Sequence, residues 1–290
     1  MFDWLDREMY PFEPHFFESD AGRIHYVDEG SGPPVVMVHG TPTWSFMYRR
    51  LIKALAPSHR VIAPDHLGFG LSDKPEIGPY RPLDHAARLK QLIEALELQN
   101  ISVIVHDFGG PIGLAYALDE ADNVKRLVLL NTWMWSLQEN KSVVWASRFF
   151  GGPAGKFLYK RLNFSPRFLM KTAFADKRKL TATIHRHYTA VFPTPASRQG
   201  PWVLARELAG ASDWYDSLWQ RREQIRRKPT LLLWGMKDPL IPQEGLTRWQ
   251  TVFENIRTET YPDAGHFVTE EADGLAEKVS HFCHLPTQAE

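Results

Sequence analysis

One aspartate stands at a turn that could make it a nucleophile. Asp107 follows the apolar, β-branched run 101–105 and precedes Gly109, Gly110 and Pro111. This is the layout of a nucleophile elbow, in which a buried strand turns sharply into a helix. The glycines suit a strained backbone and the proline suits the first helical turn, although the strict motif would have glycine two residues before Asp107. By itself the motif also fits an aspartate that only caps the helix.

An acid and a histidine follow later in the chain, each just after a strand-like run. Asp238 follows the apolar run 231–234, and His266 follows the run 257–261. Singly, Asp238 reads as a turn former and His266 as a capping residue. Together with Asp107 they give the order nucleophile, acid, histidine, and all three fall at the carboxyl ends of strands, where parallel sheets place their functional groups. We therefore expect His266 to activate water and Asp238 to orient the histidine.

A fourth loop supplies candidates for an oxyanion hole. His39-Gly40-Thr41-Pro42 follows the run 35–38, and the backbone N–H of Thr41 would pair with that of Phe108. Pro42 has no N–H and could follow a cis peptide bond.

These residues require an α/β framework to position them. Short β-branched runs at 35–38, 61–63, 101–105 and 127–130 alternate with amphipathic stretches at 44–55 and 83–96. That alternation predicts a doubly wound, mostly parallel sheet. A hairpin at 16–27 adds two antiparallel strands, and runs at 229–234 and 257–261 complete eight, with a closing helix near 274–282.

The strand pattern stops between the sixth and seventh strands. Residues 135–227 are helical and aromatic in character, with Gly and Pro interruptions, and contain no comparable strand run. We therefore expect an α/β core formed by residues 1–134 and 228–290, with residues 135–227 inserted as a helical cap over Asp107.

Composition excludes several classes of function. The 290 residues contain 34 basic and 34 acidic side chains without a long run of one sign, which predicts neither a nucleic-acid partner nor a membrane partner. The amino-terminal sequence has acids and no signal-like apolar run, and no stretch reaches the length of a membrane span, so we expect a cytoplasmic protein. A single cysteine, Cys283, forms no internal disulfide.

The sequence resembles the haloalkane dehalogenases, a family with the α/β-hydrolase fold, over nearly its whole length. The most specific stretches are 39–45, 61–75, 192–195, 235–238 and 263–267. The resemblance implies an Asp107 nucleophile, a His266 base, an Asp238 acid, no metal or organic cofactor, and a small apolar organic substrate. Trp44 and Phe174 are the expected substrate contacts. The chain would be a monomer or a homodimer.

The chain departs from this family where the leaving halide is held. Family members usually have Trp directly after the nucleophile, with an indole N–H that binds the halide, whereas Phe108 has no such donor. In different branches of the family a second halide donor is either an Asn in the His-Gly-x-Pro loop or a Trp in the cap. Here Thr41 occupies the loop position, and the cap region near Phe174 has no obvious Trp. Some members carry the acid after the sixth strand, but that strand ends here in Leu130-Asn131-Thr132, with no carboxylate, which favours Asp238. The sequence thus predicts weak dehalogenation.

Two other reactions use the same Asp107 chemistry. They are epoxide hydrolysis, which needs cap tyrosines such as Tyr159, Tyr188 or Tyr215, and action on a β-lactone. A hydrolase fold converted into a binding protein is a further alternative, which the filled triad disfavours. The other tryptophans are expected to be packing residues, with one or two lining the pocket; they are Trp133, Trp135, Trp145, Trp202, Trp214 and Trp219.

Overall fold

Eight strands form one sheet in the computed structural model, which describes residues 3–286. The strands are β1 (His15–Ser19), β2 (Gly22–Glu29), β3 (Pro34–Val38), β4 (Arg60–Pro64), β5 (Ile101–Asp107), β6 (Val124–Thr132), β7 (Thr230–Gly235) and β8 (Ile256–Tyr261). Their order is β1-β2-β4-β3-β5-β6-β7-β8, with β1 and β2 antiparallel and the rest parallel. The expected doubly wound, mostly parallel sheet is confirmed.

Residues 3–286 also contain twelve α-helices, which lie between and after the strands in the chain. They are α1 (Arg49–Leu55), α2 (Pro82–Ala95), α3 (Gly109–Asp119), α4 (Lys141–Gly151), α5 (Pro153–Leu162), α6 (Met170–Ala173), α7 (Ala182–Ala190), α8 (Gln199–Gly210), α9 (Ser212–Gln220), α10 (Gln243–Gln250), α11 (Val268–Glu271) and α12 (Leu275–His284). The stretch predicted as one helix over 44–55 begins instead with an extended Trp44 and a 3₁₀ turn, Ser45–Tyr48, before α1. Periodicity cannot distinguish a 3₁₀ turn from the first turn of an α-helix.

The middle strands carry the core. Every residue of β5 and β7 is buried, because helices cover both faces of a parallel sheet and leave no solvent-facing side. Six helices, α4 to α9, lie between β6 and β7 in the chain. Residues 135–227, which contain them, are called the helical segment below. The expected domain boundaries at residues 1 and 290 lie outside the described residues.

Candidate active site

The turn after β5 holds Asp107 in a backbone conformation that few residues adopt. Its φ is +53°, in the left-handed region, and its carbonyl accepts a hydrogen bond from Oγ1 of Thr132 at 2.6 Å. The turn is also crowded. A Cβ at Gly109 would meet the Val38 carbonyl oxygen at 2.0 Å, and one at Gly110 would meet Oγ1 of Thr132 at 1.7 Å. Only glycine fits at these two positions, so the turn presents Asp107 at the end of β5.

The Asp107 carboxylate faces a backbone donor on one side and a histidine on the other. The N–H of Thr41 donates to Oδ1 at 2.8 Å, and Nε2 of His266 lies 3.5 Å from Oδ2. The loop can come this close because Gly40 has no side chain. A Cβ there would lie only 2.1 Å from Oδ1 of Asp107. The peptide bond between Thr41 and Pro42 is cis. The site thus offers a nearly buried carboxylate, a fixed N–H and an imidazole around one reacting point.

His266 is held in one orientation by Asp238. Nδ1 of His266 donates to Oδ2 of Asp238 at 2.8 Å, which leaves Nε2 directed towards Asp107. Burial lowers the pKa of His266, but the carboxylates of Asp238 and Asp107 outweigh burial and raise this pKa to about 10. With both carboxylates charged, the histidine is therefore an imidazolium at neutral pH.

Asp238 is held as an anion by donors on both of its oxygens. The backbone N–H groups of Leu240 and Ile241 donate to Oδ1 at 2.7 and 3.1 Å, while His266 and Asn131 donate to Oδ2. Burial raises the pKa of Asp238, but the charge and hydrogen bond of His266, together with the two backbone donors, lower it overall. The side chain is fixed from two directions and cannot turn its oxygens over without losing donors.

Asn131 is a positioning residue that the sequence reasoning missed. At the end of β6, its Nδ2 donates to Asp238 at 2.8 Å and to the Gly235 carbonyl at 3.1 Å, while its Oδ1 accepts from the Gly235 N–H at 2.8 Å. The amide therefore joins the carboxyl ends of β6 and β7. A signal was present, because Asn131 lies at the carboxyl end of β6, and β7, the neighbouring strand, precedes Asp238.

The loop that carries His266 is tied to the helical segment by one buried carboxylate. Oε1 of Glu271 accepts from the N–H of Gly265 at 2.9 Å, and Oε2 accepts from those of Ala175 and Asp176 at 2.9 and 2.8 Å. The N–H of His266 also donates to the carbonyl of Ala173 at 2.9 Å. The position of the histidine thus depends on the segment that follows α6.

The two expected substrate contacts lie in different surroundings. Phe174 stacks on Phe267 with ring centroids 5.0 Å apart, next to His266. Trp44 donates from its indole N–H to the carbonyl of His187 at 3.1 Å, and its ring packs against Tyr10 at 4.9 Å. The structure therefore places Phe174 beside the triad and Trp44 in a buried aromatic cluster.

Trp133 is a second residue that the sequence reasoning did not single out. It follows β6, is 3% exposed, and its indole N–H has no hydrogen-bond partner in the described part of the chain. Its ring packs edge-on against Phe108 at 4.9 Å and against Tyr215 at 5.9 Å. Buried N–H donors usually have hydrogen-bond partners. The unpaired indole N–H of Trp133, whose ring contacts Phe108, therefore needs an explanation. Sequence alone cannot show which tryptophans keep an indole N–H without a hydrogen-bond partner.

All three candidate cap tyrosines use their hydroxyl groups within the fold, Tyr159 through a hydrogen bond with Ser165. The hydroxyl of Tyr188 donates to Glu270 at 2.6 Å, and that of Tyr215 donates to the carbonyl of Glu207 at 3.0 Å. An epoxide-opening pair needs free hydroxyl donors directed at the substrate. These bonds disfavour all three tyrosines in that role.

Neither a membrane-spanning helix nor a metal-binding cluster occurs in the described part of the chain. Within residues 3–286, no helix is long and apolar enough to cross a membrane. Nor do the same residues contain three or more His, Cys, Asp or Glu side chains grouped to hold a metal ion. His185 and His187 lie two residues apart but bond to different groups. Nε2 of His185 bonds to the carbonyl of Pro166, and Nε2 of His187 accepts from the N–H of Asp6.

Comparison with known proteins gives sequence relatives and structural neighbours. A family model described as alpha/beta hydrolase fold matches residues 33–273. Haloalkane dehalogenase 2 of Mycobacterium tuberculosis is 37% identical over 271 residues, covering 92% of this chain and 93% of that protein. A cis-3-alkyl-4-alkyloxetan-2-one decarboxylase of Shewanella oneidensis is 32% identical over 301 residues, covering 97% of this chain and 91% of that protein. The haloalkane dehalogenase DatA from Agrobacterium tumefaciens C58 superposes with a TM-score of 0.85 at 24% identity, covering 96% of this chain and 98% of that one.

Proposed function

The chain belongs to the α/β-hydrolase fold family and is a haloalkane dehalogenase-like hydrolase, and from this premise we propose that it hydrolyses carbon–halogen bonds through an ester on Asp107. The observation that carries the proposal is the Asp107 carboxylate itself, set between the Thr41 N–H at 2.8 Å and His266 Nε2 at 3.5 Å. A carboxylate at this position forms an ester with saturated carbon, which a serine would not do with the same partners.

In the first step, the Asp107 carboxylate attacks the carbon that bears the leaving group. A bond forms between its oxygen and that carbon while the carbon–halogen bond breaks, and the halide departs with the bonding electrons. A carboxylate needs no base to remove a proton before it attacks. The imidazolium form of His266 is therefore compatible with this step.

In the second step, water hydrolyses the ester. Alkylation neutralises Asp107 and so removes one of the two carboxylates that raise the pKa of His266, which lets the imidazole release its proton and act as a base. His266 then takes a proton from water, and the water oxygen bonds to the carboxyl carbon of Asp107 to give a tetrahedral oxyanion. When this oxyanion collapses, the bond from that carbon to the alkyl-bearing oxygen breaks, and the alcohol leaves with the proton that His266 returns. The N–H of Thr41, with that of Phe108, stabilises the oxyanion that forms there.

The leaving halide needs a donor, and we assign that role to Trp133. Phe108 supplies no side-chain donor, but the unpaired, buried indole N–H of Trp133 belongs to a ring in contact with the Phe108 ring at 4.9 Å. A donor directed at developing charge in a dry site stabilises a transition state by about 3 kcal/mol. On this proposal Trp133, which follows β6, supplies the halide donor that Phe108 lacks, so dehalogenation is not as weak as Phe108 alone predicts.

We expect Trp133→Phe to lower kcat on a bromoalkane about a hundredfold, because an aromatic ring is kept, although a smaller one, while the N–H donor is lost. Phe108→Trp is the matched gain of a donor and should raise activity on bromoalkanes relative to epoxides, provided the larger ring packs without strain. Rates on a homologous series of bromides and chlorides, and on an epoxide, measure both effects. Full activity of Trp133→Phe would exclude Trp133 as the halide donor.

The helical segment is the element that we propose to cover the substrate. Its Phe174 lies beside the His266 loop, its Tyr215 contacts Trp133, and the Asp107 charge contributes to raising the pKa values of Tyr159 and Tyr215, after burial. These contacts support a cap formed by residues 135–227 over the core formed by residues 1–134 and 228–290. A cap of this kind would exclude water and select small apolar substrates.

The two-step route predicts where a water oxygen goes. In a single turnover in water enriched in heavy oxygen, the label should enter the Asp107 carboxyl, and the first alcohol released should carry an ordinary oxygen taken from Asp107. Mass spectrometry of the peptide containing Asp107 and of the alcohol measures both. Label in the first alcohol would mean that water attacks the substrate directly, which would refute the ester.

A second candidate function is action on a β-lactone. It is favoured by the oxetan-2-one decarboxylase relative, which matches 97% of this chain. The oxygen that leaves a lactone ring stays attached to the substrate, so this reaction does not depend on a halide donor. Incubation with a cis-3,4-dialkyl oxetan-2-one, with detection of carbon dioxide and alkene, separates this reaction from dehalogenation.

A further inference from the structure

Exposed apolar side chains cluster on the first half of the helical segment. Of the eight large hydrophobic side chains that are exposed in residues 3–286, five lie between 145 and 168. Their exposed fractions range from 40% for Phe149 to 66% for Trp145. The members are Trp145, Phe149, Phe157, Leu162 and Phe168. An apolar cluster on a surface indicates an interaction site, whereas scattered single residues do not.

Three rings of this cluster and two half-buried neighbouring rings, Phe150 and Phe164, form a continuous row. Trp145 stacks on Phe149 with centroids 5.4 Å apart, and the Phe149 ring lies 5.2 Å from that of Phe150. The row continues from Phe150 to Phe164 at 5.7 Å and from Phe164 to Phe168 at 5.5 Å. These five rings, which join α4 to the turn after α5, are called the aromatic row.

The same part of the chain is strongly basic although the whole chain is neutral. Between residues 141 and 175 there are seven basic side chains and no acidic one. They are Lys141, Arg148, Lys156, Lys160, Arg161, Arg167 and Lys171. All except Lys160 are exposed, and in residues 3–286 only Lys160 of this set forms an ion pair, with Glu76 at 3.5 Å. The whole-chain balance predicts no membrane partner, but it averages over this segment.

We propose that the aromatic row and the basic side chains around it bind the surface of an anionic lipid bilayer. Aromatic rings insert at the boundary between headgroups and acyl chains, and basic side chains on the same surface attract anionic headgroups. Neither feature needs a membrane-spanning helix. The proposal does not depend on the reaction proposed above.

Helix α5 has one face in solvent and one face packed beneath the aromatic row. Phe157 points into solvent at 59% exposed, whereas Tyr159, two residues on and thus on the other side of the helix, is buried. The Tyr159 ring lies 5.9 Å from that of Phe150 in the aromatic row, and the negative charge of Asp107 contributes to its raised pKa.

Two other occupants fit the surface less well. A second copy of the chain would bring two strongly basic surfaces together across a two-fold axis, where like charges repel. Single-stranded nucleic acid needs free ring faces on which bases stack. Here Trp145 and Phe149 stack on each other with an interplanar angle of 5°, as do Phe164 and Phe168 at 28°.

The test is sedimentation of the full chain with lipid vesicles. We expect binding to vesicles of equal phosphatidylcholine and phosphatidylglycerol, and little binding to phosphatidylcholine alone. Binding should weaken with salt, and the partition coefficient should fall about fivefold when one charge is removed in Arg148→Gln or Arg161→Gln. Trp145→Ser should also lose binding while hydrolysing a water-soluble substrate at the parent rate.

The controls are exposed apolar residues outside the cluster. Ile77→Ser and Leu240→Ser change side chains that are 93% and 57% exposed, and both should bind vesicles like the parent. Equal binding to both vesicle types, equal loss in the Ile77 and Leu240 variants, or no binding at all would refute the proposal. So would dimerisation or oligonucleotide binding that Trp145→Ser abolishes in the absence of any vesicle binding.

Discussion

The His266→Ala variant should stop after one step and accumulate an alkyl group on Asp107. The carboxylate attacks without a base, but hydrolysis of the resulting ester requires one. Steady-state turnover should therefore fall by about 10²–10⁴-fold, while intact-mass analysis finds one alkyl group per chain. Peptide mapping should place that group on Asp107.

Two variants control this result. His281→Ala changes an exposed histidine and should turn over substrate without accumulating an adduct. The double variant Asp107→Ala, His266→Ala should form no adduct, since the attacking carboxylate is gone. If His266→Ala shows no adduct with a substrate that the parent enzyme consumes, the two-step scheme is wrong.

Asp238→Asn should also stop the reaction at the ester, because it reverses the orientation of the imidazole proton. The N–H groups of Leu240 and Ile241 require an oxygen at the Oδ1 position, so the new amide would direct its NH₂ group at Nδ1 of His266. The proton then sits on Nε2, which can no longer accept one from water. In a serine hydrolase the equivalent change lowers kcat by about 10⁴, and we expect an effect of similar size on ester hydrolysis.

The same variant should lower the pKa of His266, which the parent structure places at about 10. Burial alone lowers this pKa, so the loss of the Asp238 charge leaves burial opposed only by Asp107. Nuclear magnetic resonance titration of the imidazole measures the change. Asp263→Asn is the matched control, because Asp263 is exposed, pairs with Lys237, and should leave both the pKa and the rate unchanged. A parent His266 that titrates near its usual pKa would contradict the proposed switch of its charge on alkylation.

The strands and the order of the three triad positions were predictable from sequence for a physical reason. A parallel strand buried on both faces, such as β5, is apolar throughout, and the residue that follows it stands out. Because parallel strands end at the same edge, Asp107, Asp238 and His266 were expected to meet, and they lie within contact distance. The roles assigned to them stay predictions.

The groups that support the site could not be predicted in the same way. Asn131 was noted only as the absence of a carboxylate, and its bonds to Asp238 and Gly235 depend on β6 and β7 being neighbours. The free N–H of Trp133 depends on what surrounds it in space. Trp44 illustrates the same limit, since its indole packs against Tyr10, which precedes the sheet in the chain.

The position of β6 in the sheet has a consequence for folding during synthesis. Strand β6 lies between β5 and β7, but the whole helical segment must be translated before β7 exists. At about 5–20 residues per second, that takes on the order of 5 to 20 s. Until then one edge of β6, whose residues 127–132 are buried in the final fold, has unpaired N–H and carbonyl groups that can bind another nascent chain. The nascent chain is therefore open to edge-to-edge pairing in this interval, and a chaperone that shields apolar strand edges would act within it.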